Sequence, residues 1–482
     1  MTDSKPPKTL TLKKTPAPTD SAPGTVRKRS GGRARNVAQS ERVREQLRQQ
    51  QEREAQQTNP TAAAPRAQAQ THEHKTRPQP DRASRPAVSR TSGRTRYERP
   101  AVETFPIFAP CPQGLEEALA TELQALGFED AVPGRAGCHF HTDWTGVLRA
   151  NLYSRLAARI LVQVSYAPIQ DEDDILELAY ETPWERWFGA EQTLRVDTSA
   201  IRSPMQSLQY CNLRAKDGIC DRLRDREGER PDIDTVRPDA RVHLFLSENS
   251  ATLYLDTSGE SLFKRGWRLD KGSAPLRENL AAGLLALSGW DPAEALMDPF
   301  CGSGTILIEG AWIALGVPPG ISRPFGFERL RDHQAGHWRD LKEEAYSHIA
   351  SHLESPLVGY DIDPLAIEAA GRNMERAGLA PDAIRFEVGD ARVAPPPAER
   401  GWLVTNPPYG ERLPTEDDTG LWRAWSQNLK QNFSGWHVSI ISNDMTLPQQ
   451  LRLKPLRRYP LYNGDLDCRL FSFDMVAASY RK

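Results

Sequence analysis

Apolar residues are sparse through the first hundred positions and then recur in short blocks of two kinds. Residues 104–109 read as a strand, and residues 114–126 carry Leu115, Ala118, Leu119, Leu123 and Leu126 at helical spacing, with Gly127 placed to end the helix. Residues 137–141 alternate like a strand, which makes His139 and His141 half-exposed strand positions rather than ligands. Residues 147–166 predict a helix running into a strand at 159–164. A polar turn at 170–174 opens a short helix; a strand at 193–197, a helix at 207–223 and strands at 240–247 and 250–256 follow. This alternation suits an α+β module. Arg202, Arg214 and Lys216 are its candidate phosphate contacts, with a charged solvent face as the competing reading for each.

From residue 265 the pattern becomes repeated β-α, which predicts a doubly wound parallel sheet whose ligands sit at the carboxyl ends of the strands. The first strand, 294–297, ends at Asp298, and Pro299-Phe300-Cys301-Gly302-Ser303-Gly304-Thr305 turns into a helix at 306–315. Two glycines there let backbone approach a ligand, with the helix N-terminus facing it. The third glycine of the dinucleotide fingerprint and the Gly-Lys-Ser/Thr of a P-loop are both missing. The second strand, 356–360, runs into Asp361-Ile362-Asp363-Pro364. Asp363 can cap the next helix with Pro364 at its first position, which leaves Asp361 to accept both hydroxyls of a ribose. The third strand, 384–389, ends in Asp390, a candidate acceptor for an adenine amino group; the fourth, 402–405, ends in Asn406-Pro407-Pro408-Tyr409.

One carboxylate at a strand end is commonplace; three in register, followed by Asn-Pro-Pro-Tyr, form a constellation. Two successive prolines end the strand and stiffen the turn. The Asn406 side-chain carbonyl and the Pro407 backbone carbonyl can then accept from one planar NH2 group, drawing its nitrogen lone pair out of conjugation. Tyr409 offers a face for stacking a base. Alone, Asn406 would read as a turn cap and Tyr409 as a core aromatic.

Charge divides the chain. The 62 Lys+Arg and 64 Asp+Glu nearly cancel, yet residues 1–100 hold 22 basic against 9 acidic residues, a net of +13, which leaves −15 for the rest. With 11 Pro and one aromatic, Tyr97, the first hundred residues cannot bury enough apolar surface to offset their ordering entropy, so a disordered basic arm is expected there. It is either a polyelectrolyte contact for nucleic acid or a passive tail. No run of 18 apolar residues and no apolar leader core occur, so neither a membrane span nor a secretory signal is expected. Six widely spaced cysteines without a C-x-x-C pair argue for a reducing, cytoplasmic setting and against a zinc ribbon or a disulfide framework. Residues 317–355 form an insertion without a legible role. His333 and His337 sit four apart on a helix expected there, but lack the His-Glu-x-x-His pattern, so no metal is expected. Leu421, Trp425, Leu429 and Phe433 make an amphipathic stripe with Trp425 in the core.

The segments Asp298–Thr305 and Asn406-Pro407-Pro408-Tyr409-Gly410-Glu411-Arg412-Leu413 resemble those of class I S-adenosylmethionine-dependent methyltransferases that act on exocyclic amines. Residues 105–474 together are similar to the THUMP-domain RNA methyltransferases, most of all to the guanine-N2 half of the bacterial 23S rRNA enzymes; residues 274–282 and 463–468 share in the resemblance. It implies a Rossmann-like domain with a mostly parallel seven-stranded sheet at 265–482, a ferredoxin-like lead-in at 101–146 and an RNA-docking THUMP domain at 147–260. S-adenosylmethionine would be the cofactor, held by Asp298 to Thr305, Asp361, Asp390, Glu278 and Asn279. Asn406, Pro407, Pro408 and Tyr409 would hold a flipped guanine of 23S rRNA, the RNA partner of a monomer. The second, N7-directed domain of longer family members is not expected within these residues.

Overall fold

The computed structural model describes residues 103–270, 276–408 and 418–476. The proposed arm at 1–100, the family-like residues Ala274 and Pro275, Tyr409 and residues 410–413 lie outside them.

Two seven-stranded sheets organise the rest. The first is built from β1 (Phe105–Pro110), α1 (Glu116–Ala125), β2 (Val132–Gly134), β3 (Gly137–Thr142), α2 (Trp144–Tyr153), β4 (Leu161–Pro168), α3 (Glu172–Glu181), β5 (Leu194–Ala200), α4 (Leu208–Glu227), β6 (Ala240–Leu246) and β7 (Ser250–Asp256). Its strand order is β2-β3-β1-β4-β7-β6-β5. Because β4 pairs antiparallel with both β1 and β7, the lead-in and the α+β module that follows share one continuous sheet. Local chemistry sets the helix ends. Asp171 and Asp174 form a reciprocal capping box at the start of α3, and α4 runs from a Ser207 cap to Gly228 at φ 93°.

The run 147–166 holds a helix and then the strand β4, with bounds shifted from those expected and a break between the two. The helix starts at Trp144, capped by Asp143, and stops at Tyr153. The Glu122 carboxylate takes the Ser154 hydroxyl at 2.6 Å and the Arg155 backbone N–H at 3.1 Å, which draws the chain out of helical register.

The second sheet contains α5 (Glu278–Ser288), β8 (Leu296–Asp298), α6 (Thr305–Ala314), α7 (Ala335–Ser347), β9 (Leu357–Asp361), α8 (Pro364–Arg376), β10 (Arg385–Val388), β11 (Gly401–Thr405), α9 (Asp418–Asn432), β12 (Trp436–Ser442), α10 (Leu447–Leu451), β13 (Arg457–Asn463) and β14 (Leu466–Asp474). The order is β10-β9-β8-β11-β12-β14-β13; β10 through β12 are parallel, and β14 is antiparallel to β12 and β13. The chain winds outward from β8 to β10 and returns to β11 on the other side of β8. That reversal is a topological switch point, where a crevice opens at the strand ends. Trp425 is buried, as its stripe predicts.

The two halves meet through buried charge. Arg265 and Glu309 are both fully buried 3.3 Å apart, and the Arg265 guanidinium also donates to the Arg155 carbonyl at 2.6 Å. The helix expected to carry both His333 and His337 begins only at Ala335: Asp332 is left-handed at φ 59°, and His333 precedes α7 while His337 lies within it, 3.2 Å from the Thr145 hydroxyl.

Candidate active site

A cavity of about 770 Å³ opens at the switch point, between the carboxyl ends of β8, β9, β10 and β11. Asp298, the turn Pro299 to Ser303, Thr305, Asp361, Asp390, Asn406, Pro407 and Pro408 all line it. The four strand ends singled out by spacing therefore converge on one space.

Asp298 closes β8 and is 2% exposed. Its Oδ1 accepts from the Thr405 hydroxyl at 2.6 Å and from the Phe300 backbone N–H at 3.1 Å. Burial pushes its carboxyl up to about 7; these two bonds pull it down, and the neighbouring Asp361 adds to the rise. The turn that follows is held from both sides. The Cys301 N–H donates to the Tyr360 carbonyl at 2.9 Å, and the Gly302 N–H to Asp361 Oδ2 at 2.9 Å. Gly304 caps α6 at φ 81°, and a Cβ on it would stand 2.8 Å from the Phe386 ring. Gly304→Ala is therefore expected to cost about 1–3 kcal/mol of stability, read as a lowered midpoint in urea, and to weaken ligand binding at the turn.

Asp361 Oδ1 accepts from the Asp363 N–H at 2.9 Å, so both of its oxygens are oriented by backbone and each keeps a lone pair for a ligand. Asp363 caps α8 through the Leu365 N–H at 2.9 Å, with Pro364 first in the helix, as the sequence predicts. Asp390 is gripped by the Arg392 guanidinium at 2.6 Å, which holds its carboxyl below the usual range; an incoming amine must share that carboxylate. The Asn406 Oδ1 is buried and accepts no hydrogen bond among the described residues. Such an atom costs free energy unless a ligand satisfies it.

Two expected cofactor residues do not line the cavity. Glu278 and Asn279 open α5, buried but off the cavity wall: the Glu278 carboxylate pairs with Arg268 at 2.9 Å, and Asn279 Nδ2 donates to the Leu156 carbonyl at 3.3 Å. Spacing missed Asp270 and Arg372, which do line the cavity. Fully buried Asn373 donates to the Asp270 carbonyl at 3.0 Å and to the Ser303 carbonyl at 3.1 Å, tying the chain before α5 to the glycine turn. Only the fold reveals that pairing, because no local pattern joins positions so far apart in sequence.

Arg202, Arg214 and Lys216 lie on the first sheet's layer, away from the cavity, and each faces a carboxylate: Glu248 at 3.5 Å, Asp173, and Asp217 at 2.5 Å.

Family comparisons divide the chain along the same lines. An RlmL ferredoxin-like domain matches residues 106–161, a THUMP domain 170–256, and an RMKL-like methyltransferase domain 265–472. The ribosomal RNA large subunit methyltransferase K/L of Syntrophotalea carbinolica is 40% identical over 382 residues, 77% of this chain and 53% of that protein. The chain thus spans about half the length of the curated relatives it matches. Among solved structures, SMU.472 in complex with SAH superposes with a TM-score of 0.72 at 26% identity, covering 78% of this chain and 99% of that one. A predicted N6-adenine-specific DNA methylase from Listeria monocytogenes gives 0.70 at 30% identity, covering 77% and 96%. With its ferredoxin-like lead-in, THUMP domain and Rossmann-like catalytic domain, the chain belongs to the THUMP-domain methyltransferases of the RMKL-like family.

Proposed function

We propose that the chain transfers the methyl group of S-adenosylmethionine to the exocyclic N2 amine of a guanine in 23S rRNA. The observation that carries this reading is the buried, unpartnered Asn406 Oδ1 on the wall of the cavity that Asp298, Asp361 and Asp390 share. The names of the large-subunit rRNA relatives and the THUMP match support RNA as the substrate class.

The residues present fit the donor. Asp361 takes the ribose hydroxyls, Asp390 the adenine amine, and the turn from Asp298 to Thr305 the amino-acid end. The bound donor supplies a methyl group on a positively charged sulfur, already a strong electrophile. Asn406 Oδ1 and the Pro407 carbonyl accept the two amine hydrogens and hold the nitrogen lone pair toward that methyl. Pro408 stiffens the corner, and Tyr409 stacks the flipped base. The methylated amine is acidic and loses its proton to water, so positioning provides most of the acceleration. The THUMP region, about 147–260, docks the RNA, with Arg202, Arg214 and Lys216 exchanging carboxylate for phosphate partners.

S-adenosylhomocysteine at 100 times its dissociation constant should raise the unfolding free energy by about 2.7 kcal/mol, and Asp361→Ala should remove that gain. Absence of a shift in the unsubstituted chain sinks the donor assignment. The Listeria neighbour's name favours adenine N6 as the rival acceptor. Mass spectrometry of nucleosides from treated rRNA separates the two, and N6-methyladenine would replace the guanine reading.

A further inference from the structure

The insertion between α6 and β9, which had no legible role, crosses to the first sheet. The Gly320 N–H donates to the Leu152 carbonyl at 3.0 Å and the Phe327 N–H to the Thr257 carbonyl at 2.9 Å; the Arg323 guanidinium caps the carbonyls of Ser258, Glu260 and Ser261 at 3.2, 2.6 and 2.7 Å. These bonds grip the root of the docking region, beside α2 and β7. Arg331 reaches further, into the helical layer. Its Nε and Nη2 bind the Glu191 carboxylate at 2.9 and 2.8 Å, Nη2 also reaches Glu227 at 2.9 Å, and Nη1 bonds the Glu185 carbonyl at 3.0 Å and the second Glu227 oxygen. All five guanidinium N–H donors are thereby engaged, and the Arg331 backbone N–H adds a bond to the Trp187 carbonyl at 2.9 Å. Gly189 leaves room for this fork: a Cβ there would lie 1.7 Å from Arg331 Nη2.

A lone surface ion pair is worth little, but a planar fork shared between two carboxylates and a carbonyl fixes direction as well as distance. Glu227 is the last residue of α4, the helix that carries Arg214 and Lys216. The catalytic domain thus holds α4, the helix assigned above to RNA docking, at a set reach from its own cavity.

We propose that Arg331 is a positioning residue for methyl transfer: it locks the docking helices to the catalytic domain, so that the target base is selected by its distance from the docked RNA element. This rests on the reading above, in which RNA engages both regions at once. A loose joint would bring several nucleotides to Asn406 and each of them less often; misplacement by about 1 Å costs up to about 100-fold in rate.

The test uses the full chain. Nitroxide labels at Val236→Cys and Asp382→Cys report the separation of the two regions, and they attach selectively because all six native cysteines are buried. Arg331→Ala should broaden the distance distribution, lower kcat/KM on a 23S rRNA fragment about 10- to 100-fold, and spread methylation over neighbouring nucleotides, with affinity for S-adenosylhomocysteine unchanged. Gly189→Ala, whose Cβ would displace the same guanidinium, should reproduce the phenotype if Arg331→Ala folds poorly. The exchanged pair Arg331→Glu with Glu191→Arg should recover part of the narrow distribution. A wild-type distribution and methylation pattern in both single variants overturns the proposal, as does loss of donor affinity in step with rate. If the unsubstituted chain methylates no rRNA, the substrate reading fails, while the distance measurement still decides whether Arg331 locks the joint.

Discussion

Replacing Asn406 by alanine is expected to lower the methyl-transfer rate by about 10³-fold while leaving affinity for S-adenosylhomocysteine within a factor of about three. The asymmetry follows from where the group sits. The donor contacts proposed above lie on β8, β9 and β10, whose ends are braced independently: Asp361 by the N–H groups of Gly302 and Asp363, Asp298 by Thr405 and Phe300. Asn406 braces none of them. Its Oδ1 is buried without a partner among the described residues, so truncation removes an acceptor that none of them uses. The loss therefore falls on the step in which an amine is held and its lone pair turned outward, an interaction worth most in the transition state. Asn406→Asp keeps an acceptor in place and should lose less. Tritium-methyl transfer to an rRNA fragment, beside calorimetric titration with S-adenosylhomocysteine, reads both numbers; near-normal transfer by the alanine variant would remove Asn406 from the reaction.

The strand-end residues were legible because their signals are local. A polar residue closing an apolar run, two glycines before a helical stripe, and an Asp-Pro helix start are patterns of a few residues each, and the sheet order brings their ends together at β8 and β11. What stayed hidden depends on packing between distant segments. Asn373 touching the Asp270 and Ser303 carbonyls, and Arg331 forking onto Glu191 and Glu227, leave no trace in spacing. The same reason accounts for Glu278 and Asn279. Their resemblance to a donor-binding segment is one of sequence, and only the fold shows that they lie off the cavity wall, with Glu278 paired to Arg268 and Asn279 donating to the Leu156 carbonyl. The break in the run 147–166 likewise needs Glu122, a residue of another helix, to become visible. Nor does a count of cations reveal that Arg202, Arg214 and Lys216 each already face a carboxylate.

Asp298→Asn is expected to act in the opposite sense on stability, raising it at alkaline pH while impairing the donor site. The Asp298 carboxyl titrates near 7 in the folded chain against an ordinary 3.8, because burial disfavours its charged form. Between those values the folded state holds a proton that the unfolded chain has released. The Asp298 contribution to stability is therefore most favourable below about pH 4 and is lost as pH rises to 7 and beyond, where the cost of this buried carboxylate reaches about 4 kcal/mol. An asparagine keeps the Oδ1 acceptor for Thr405 and Phe300 and never ionises. Urea unfolding of the two chains should accordingly diverge as pH rises from 4 to 8, with the variant the more stable at the upper end and the curves meeting near pH 4. The same substitution should weaken donor binding, since an amino-acid ammonium placed at the Asp298 turn would stabilise the carboxylate that the empty fold penalises. In the unsubstituted protein that coupling appears as a proton released on binding at pH 6, measurable by calorimetry in buffers of different ionisation enthalpy. Parallel pH profiles for the two chains, or binding at pH 6 without proton release, would show that Asp298 holds its turn by geometry alone and takes no charge from the ligand.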